Sequence, residues 1–197
     1  MGEDGYVYLT DFGLSKDIAK CKTTNSICGT PSFMAPEIVK MDDYSYSVDW
    51  WALGVLTFLL IVGYNPFYNG GNMQKMFNCI QNSSIKFPEQ SMIPMSKNCK
   101  DFIEKLLTKD PKKRLGSKKD VKDVLAHPWF FDIDQKKLLN KQIIPSFIPK
   151  FEKQDGEEAG QVEFFDQKFV QTEALISIQT ISTRDKITTN QHKFEGF

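Results

Sequence analysis

The sequence predicts a mainly α-helical domain arranged around one central apolar helix and followed by a long irregular tail. Residues 50–64 form an apolar run that is too short to cross a membrane and therefore predicts a buried helix. Residues 72–84 and 96–108 carry apolar side chains at helical spacing, which predicts two further helices. Beyond Phe131 the chain changes to proline-bearing and charged stretches that are typical of extended segments and loops.

Local signals predict the first element of the chain and the start of the central helix. Asp4 and Gly5 followed by the alternating residues 6–10 predict a turn and a short strand, as in a β-hairpin. The central helix is expected to start at Ser45 or Ser47, either of which suits an N-cap. Asp49 then lies in the first turn, where a carboxylate is favourable for the helix dipole.

The composition disfavours several classes of function. Hydrophobic residues make up 41% of the 197 residues and include 16 Phe, which is enough for a packed globular core. Lys+Arg and Asp+Glu are both 25, so no bulk charge indicates a nucleic-acid partner. The four cysteines form no Cys-x-x-Cys pair, which disfavours zinc and makes reduced thiols in a cytoplasmic, or also nuclear, protein the expectation. No signal peptide is recognised, and no membrane span is expected.

Three short motifs follow one another in the first forty residues: Asp11-Phe12-Gly13, Cys28-Gly29-Thr30-Pro31 and Ala35-Pro36-Glu37. Together they resemble the activation segment of a eukaryotic serine/threonine protein kinase. The order of the motifs in the tail resembles that of the AGC group, the relatives of cyclic-AMP-dependent kinase and protein kinase C. The resemblance implies that residues 1–130 are the C-terminal-lobe portion of a kinase domain and that residues 131–197 are an AGC tail.

The resemblance implies a use of ATP and Mg²⁺ that centres on one carboxylate. Asp11 is the expected metal ligand and so contacts the nucleotide phosphates, while Gly13 allows a sharp backbone turn and Phe12 packs into the core. Thr30 is expected in the catalytic site, where it hydrogen-bonds the general-base Asp and marks specificity for Ser and Thr. That Asp and the nucleotide-binding loops belong upstream in the resembled family, so this chain alone is expected to be inactive.

Substrate recognition is expected beside Thr30. Ile27, Pro31 and Met34 match family positions that line the pocket for the residue after the phosphoacceptor, which implies an apolar preference there. On the central helix, Leu59 stands where kinases that select basic substrates carry a Glu. An apolar side chain cannot neutralise a guanidinium, so we expect a weaker requirement for Arg upstream of the target.

Two serines are candidate regulatory phosphorylation sites. Ser26 lies two residues before Cys28, where the family carries its activating phosphate, and Lys16 occupies a family phosphate-binding position. A phosphate on Ser26 is expected to order the loop by pairing with basic side chains. Ser177 falls where the turn-motif phosphate of the tail is expected, with Thr180 as the alternative.

Structural roles are implied for three further charged residues. Asp49 matches the family Asp that accepts hydrogen bonds from the backbone of the catalytic loop. Arg114 lies in Asp-Pro-x-x-Arg-Leu-Gly, a signature whose Arg pairs with the Glu of Ala-Pro-Glu. Glu37 and Arg114 are therefore expected to form a buried bidentate ion pair.

The tail carries aromatic residues at positions to which the AGC resemblance assigns binding roles. Phe169 belongs to an Asp-flanked tether that reaches the ATP site, and Phe194 with Phe197 forms a hydrophobic motif. The expected partners are protein substrates and an upstream activating kinase that binds Phe194–Phe197. An alternative stays open, in which the chain is a non-catalytic docking module that places this motif on another kinase.

Overall fold

The computed structural model describes residues 1–18, 22–88 and 94–149. The chain forms two compact units, one of residues Tyr8–Ile144 and the other of Met1–Val7 with Pro145–Phe197. Described residues of the first unit form six α-helices: α1 Pro36–Val39, α2 Ser47–Val62, α3 Met73–Asn82, α4 Lys97–Leu106, α5 Val121–Leu125 and α6 Gln135–Leu139. Short 3₁₀ turns lie at Phe12–Leu14, Pro31–Phe33 and Pro128–Phe130. The mainly helical fold is confirmed.

Helix α2 is the central buried helix of the lobe, as its apolar composition predicts. Trp51, Val55 and Phe58 on this helix are fully buried. The helix packs most extensively on α4, and Gly54 permits the contact. A Cβ atom at Gly54 would lie 2.9 Å from the Cβ of Leu106 and from side-chain atoms of Leu107, so α2 and α4 approach more closely here than a larger residue allows.

The predicted amphipathic helices are present, with bounds set by side-chain caps. Asn72 accepts the N–H of Lys75 at 2.9 Å at the start of α3, and Ser96 accepts that of Cys99 at 3.1 Å at the start of α4. The prediction for α2 is wrong at its first residue. The N-cap is Tyr46, without a side-chain capping bond, and Ser47 is already helical.

The short strand expected over residues 6–10 is not formed. The turn before it is present, because the N–H of Gly2 donates to the carbonyl of Tyr6 at 2.8 Å. No strand is assigned over these residues in the described part of the chain. Val7 and Leu9 are 80% and 83% exposed, so no apolar face is buried there either.

Across the described part of the chain, no helix is both long and apolar enough to traverse a membrane.

Candidate functional site

Asp11 begins a sharp turn and presents its carboxylate to solvent. Its backbone is left-handed, with φ 63° and ψ 73°, and its Oδ1 accepts the N–H of Gly13 at 3.3 Å. Aspartate tolerates this conformation because its short polar side chain can bond to nearby backbone groups. The other carboxylate oxygen has no hydrogen-bond partner among residues 1–18, 22–88 and 94–149, so it is open to a ligand.

One expectation for this turn is wrong. Asp11 is left-handed and Gly13 is not, and the part that Gly13 plays in the turn stays a prediction. Phe12 does not pack into the core; it is 59% exposed. The physical reason is that the buried clusters of the described residues are built around α2 and α4, and Phe12 belongs to neither cluster.

A cavity of about 280 Å³ lies between residues that include Leu14, Ile18 and Cys28 and the start of α2, and Asp11 is not among its lining residues. Met34 and Val48 are among its apolar lining residues, and Thr30 and Asp49 are among its polar ones. The structure thus brings Thr30, Met34 and Asp49 together at one cavity. Such a mixture of apolar walls and a few polar groups is the usual character of a binding site.

The three residues expected to form one substrate pocket are spread over different environments. Met34 is 8% exposed and belongs to the hydrophobic core as well as to the cavity wall. Ile27 is 56% exposed, and neither it nor Pro31 lines the cavity. The arrangement therefore does not itself form a pocket for the residue after the phosphoacceptor, and that assignment stays a prediction.

Ser26 lies in a corner held by hydrogen bonds. The Lys16 ammonium donates to the Thr24 hydroxyl at 2.7 Å and also to the Ser26 hydroxyl. Thr24 and Tyr44 exchange two backbone hydrogen bonds of 2.9 Å, and the Tyr44 hydroxyl donates to the Ser26 carbonyl at 2.5 Å. Desolvation, followed by the neighbouring Cys28 thiol, raises the pKa of Tyr44, which therefore remains a neutral donor. A cation thus already contacts the hydroxyl of the candidate phosphorylation site.

Asp49 is an acceptor without a donor. Its carboxylate lies in the first turn of α2 at the edge of the cavity and makes no hydrogen bond or ion pair within the described residues. Desolvation by the surrounding protein raises its pKa, and the negative charge of Asp120 raises it further. A carboxylate in this state favours a ligand or chain segment that supplies N–H donors.

The expected ion pair between Glu37 and Arg114 is present and buried. Nη1 donates to Oε1 at 2.7 Å and Nη2 donates to Oε2 at 2.9 Å, which is a bidentate arrangement. The remaining guanidinium hydrogens reach three backbone carbonyls, those of Ser47 at 2.8 Å, Thr108 at 3.1 Å and Lys109 at 3.5 Å. Because every donor is used, the pair fixes the end of the motif-bearing segment to the helical lobe.

Comparison with known proteins decides the family. The protein kinase domain family matches residues 1–130. The chain belongs to the protein kinase family. It is 36% identical over 199 residues to the serine/threonine-protein kinase sgk-1 of Caenorhabditis elegans, covering 100% of this chain and 40% of that protein. It is also 41% identical over 152 residues to the RAC serine/threonine-protein kinase of Drosophila melanogaster, covering 76% of this chain and 24% of that protein.

The similarities agree on one group within the kinases. Protein kinase C-like 2 of Schizosaccharomyces pombe is 36% identical over 200 residues, which cover 100% of this chain and 18% of that protein. With the two relatives above, this supports the AGC group of serine/threonine kinases, as the motifs predicted. The chain spans less than half the length of each of these kinases.

Protein kinases as a family use ATP with Mg²⁺, and one residue of the turn suits that metal. Mg²⁺ is typically held by one or two carboxylates, several waters and the phosphates of its substrate. Asp11 offers one exposed carboxylate with a free oxygen, which fits this ligand set. Within the described residues, no group of three or more His, Cys, Asp or Glu side chains forms a metal cage. A single exposed carboxylate of this kind fits a metal that is also bound by phosphates.

Sequence reasoning missed two residues that hold the chain on either side of Thr30. Tyr44 pairs with Thr24 and binds Ser26, and Asn65 donates to the carbonyl of Ser32 at 2.9 Å. Asn65 precedes a proline, which signals a turn, but no local pattern reveals a partner more than thirty residues away.

Several predicted site residues lie outside the described residues. These are Phe169, Ser177, Phe194 and Phe197, together with the alternative phosphorylation site Thr180. Their assignments stay predictions, as does the division of the chain at residue 130.

Proposed function

We propose that this chain is the substrate-binding lobe of an ATP-dependent protein serine/threonine kinase that acts in intracellular signalling. The observation that carries the proposal is the Asp11 carboxylate, which is exposed at a sharp turn with one oxygen free, in a chain that belongs to the kinase family. Its substrates are Ser and Thr side chains of proteins. The cytoplasm, and also the nucleus, is the proposed location, because the cysteine pattern suits reduced thiols.

In this proposal each site residue has one task. Asp11 would hold Mg²⁺, which would supply charge neutralisation for phosphoryl transfer. Thr30, on the wall of the cavity, orients the acceptor side by hydrogen bonding to the general base. Asp49 accepts backbone N–H groups from the segment that carries that base, which would relieve its raised pKa.

We propose that a further polypeptide segment covers the face that carries these residues. Phe12 is 59% exposed, and Leu56 and Leu60 on one side of α2 are 41% and 71% exposed. Leu56 and Leu60 lie one turn apart on α2, and large apolar side chains that stay exposed side by side suit an interaction site. The kinases that resemble this chain are longer than it is, and a catalytic loop belonging to the same kinase suits this face.

Phosphorylation of Ser26 is the proposed regulatory step. Lys16 already contacts the Ser26 hydroxyl and lies 2.7 Å from the Thr24 hydroxyl, so a phosphate on Ser26 has a cation beside it for a charge-assisted bond. Phosphopeptide mapping of the protein from active and resting cells tests this step. A Ser26 that is unmodified in both states would contradict it.

A second candidate function is a docking module that does not catalyse. The exposure of Leu56 and Leu60 on α2 favours it, since exposed apolar side chains also suit binding to a separate polypeptide. In this case Phe194–Phe197 would dock on an upstream activating kinase. The mass of the protein in its own cells separates the two candidates, because a catalytic kinase must be well above 22.6 kDa to include the nucleotide-binding lobe.

The direct test of the proposed function is phosphate transfer by the protein at its native length. We expect Mg²⁺-dependent transfer from ATP to Ser and Thr peptides and none to matched Tyr peptides. Binding of Mg²⁺-ATP without transfer, or equal transfer to Tyr, would overturn the proposal.

A further inference from the structure

The loop between α2 and α3 is tied to the substrate-side turn by one amide side chain. Asn65 donates from Nδ2 to the carbonyl of Ser32 at 2.9 Å, and its Oδ1 accepts the N–H of Phe67 at 2.9 Å. Only this orientation of the amide satisfies both contacts, because a carbonyl needs a donor and an N–H needs an acceptor. The side chain is therefore a fixed bridge between two segments far apart in sequence.

The end of the bridge at Phe67 is held firmly in the core. Phe67 is 2% exposed, and its ring stacks on that of Trp51 with centroids 5.4 Å apart and planes 8° apart. The Lys109 ammonium lies 4.3 Å from the centre of the Phe67 ring and donates to the carbonyl of Ile80 at 2.6 Å. The loop thus has little freedom, so Asn65 offers Ser32 a nearly stationary donor.

The end of the bridge at Ser32 lies where substrate recognition is proposed. Ser32 is the middle residue of the 3₁₀ turn Pro31–Phe33, which directly follows Thr30 and precedes Met34. A bond to the central carbonyl of a three-residue turn limits how far that turn can tilt. Loss of the bond from Asn65 is therefore expected to alter the positions of Thr30 and Met34, the residues on either side of the turn.

We propose that Asn65 is a positioning residue that fixes the 3₁₀ turn Pro31–Phe33 and thereby the selection of the residue after the phosphoacceptor. The selectivity part of this inference rests on the proposed kinase function. The positioning part does not, because it concerns a bond between two segments of this chain. The two parts therefore have separate measurements.

Asn65→Asp is the sharpest variant. It has the same shape and keeps the acceptor for Phe67, but it has no donor for Ser32 and sets a negative charge against that carbonyl. Asn78→Asp is the matched control, because Asn78 is exposed on α3 and its Oδ1 only accepts from Asn82 at 2.8 Å. Asn65→Ser is a neutral second variant, since a serine hydroxyl can still accept the turn N–H but is too short to reach Ser32.

The first measurement is amide hydrogen exchange of the protein at its native length. We expect faster exchange over residues 30–34 in Asn65→Asp and Asn65→Ser, with α2 unchanged, and no effect in Asn78→Asp. Exchange over residues 30–34 that equals that of the control in both Asn65 variants would overturn the positioning role, whether or not the protein transfers phosphate.

The second measurement is steady-state transfer to peptides that differ only in the residue after the phosphoacceptor. Loss of one net hydrogen bond predicts up to about a tenfold rise in KM for the preferred peptide, with kcat within about twofold and weaker discrimination between peptides. Unchanged discrimination in a variant with faster exchange would overturn the selectivity role. Absence of transfer by the unmodified protein would instead overturn the proposed function and leave the exchange result to decide on Asn65.

Discussion

Replacing Arg114 with methionine removes all the guanidinium donors that bind Glu37 and three backbone carbonyls. The Arg114 side chain is 0% exposed and its partner Glu37 is 5% exposed. Methionine fills a similar volume but donates no hydrogen bond, so Glu37 becomes a buried carboxylate without a counter-charge. The carbonyls of Ser47 and Thr108 lose their bonds to the guanidinium in the same step.

The expected cost is large because one charge of a buried pair is left behind. Removing one partner of such a pair typically lowers the free energy of unfolding by about 3–5 kcal/mol. For a domain of roughly 150–250 residues each kcal/mol corresponds to about 2–4 °C in Tm, so the fall is about 6–20 °C. Since total stability is only about 5–15 kcal/mol, part of the variant is expected to be unfolded at 37 °C.

Urea unfolding of the single and double variants is the assay. Glu37→Met with Arg114→Met removes both charges, so the double variant is expected to be less destabilised than the sum of the two single variants. Lys113→Met is the control, because Lys113 is 79% exposed and pairs with Asp110 only at 3.6 Å. A loss below about 1 kcal/mol in Arg114→Met, or strict additivity in the double variant, would refute the reasoning.

Three further predictions concern packing, charge and specificity. Gly54→Ala is expected to lower the free energy of unfolding by about 1–3 kcal/mol in urea titrations, because its Cβ would lie 2.9 Å from Leu106; an unchanged midpoint would contradict this. Desolvation, with the Arg114 charge adding to it, lowers the pKa of Lys109 from 10.5 to about 8. Between these values the unfolded chain binds more protons, so the free energy of unfolding should rise with pH. This rise should be smaller in Lys109→Met, and an equal rise in the two proteins would contradict the assignment. Leu59→Glu is expected to increase selection of upstream Arg in a peptide array, and an unchanged array would contradict the assigned role of Leu59.

The helices could be predicted because their signals are local. Asn72 and Ser96 precede apolar residues at helical spacing, and both cap their helices as such residues usually do. The apolar character of residues 50–64 likewise predicts a buried helix whatever surrounds it. The start of α2 was not predicted correctly, because Ser45 and Ser47 both suit a cap, whereas the N-cap in the structure is Tyr46.

The burial and bonding of residues that depend on distant partners were difficult to predict from the sequence. The pairing of Glu37 with Arg114 was predictable only through resemblance, since 77 positions separate the two in the chain. Phe12 was expected in the core, but burial depends on what packs over a side chain, and its own sequence context does not contain that information. No periodic pattern in the sequence indicates the bond from Asn65 to Ser32.

Asp11→Asn is the sharpest test of the proposal that Asp11 is the metal-binding carboxylate of a protein kinase. Asparagine tolerates the left-handed backbone of this position, so the turn should survive while the charge is lost. Asp42→Asn is the matched control, because Asp42 is also exposed and lies outside the cavity lining. In the protein at its native length, the account predicts that Asp11→Asn loses at least about 10²-fold in Mg²⁺-dependent transfer while Asp42→Asn does not. Equal transfer by the two variants would contradict the account.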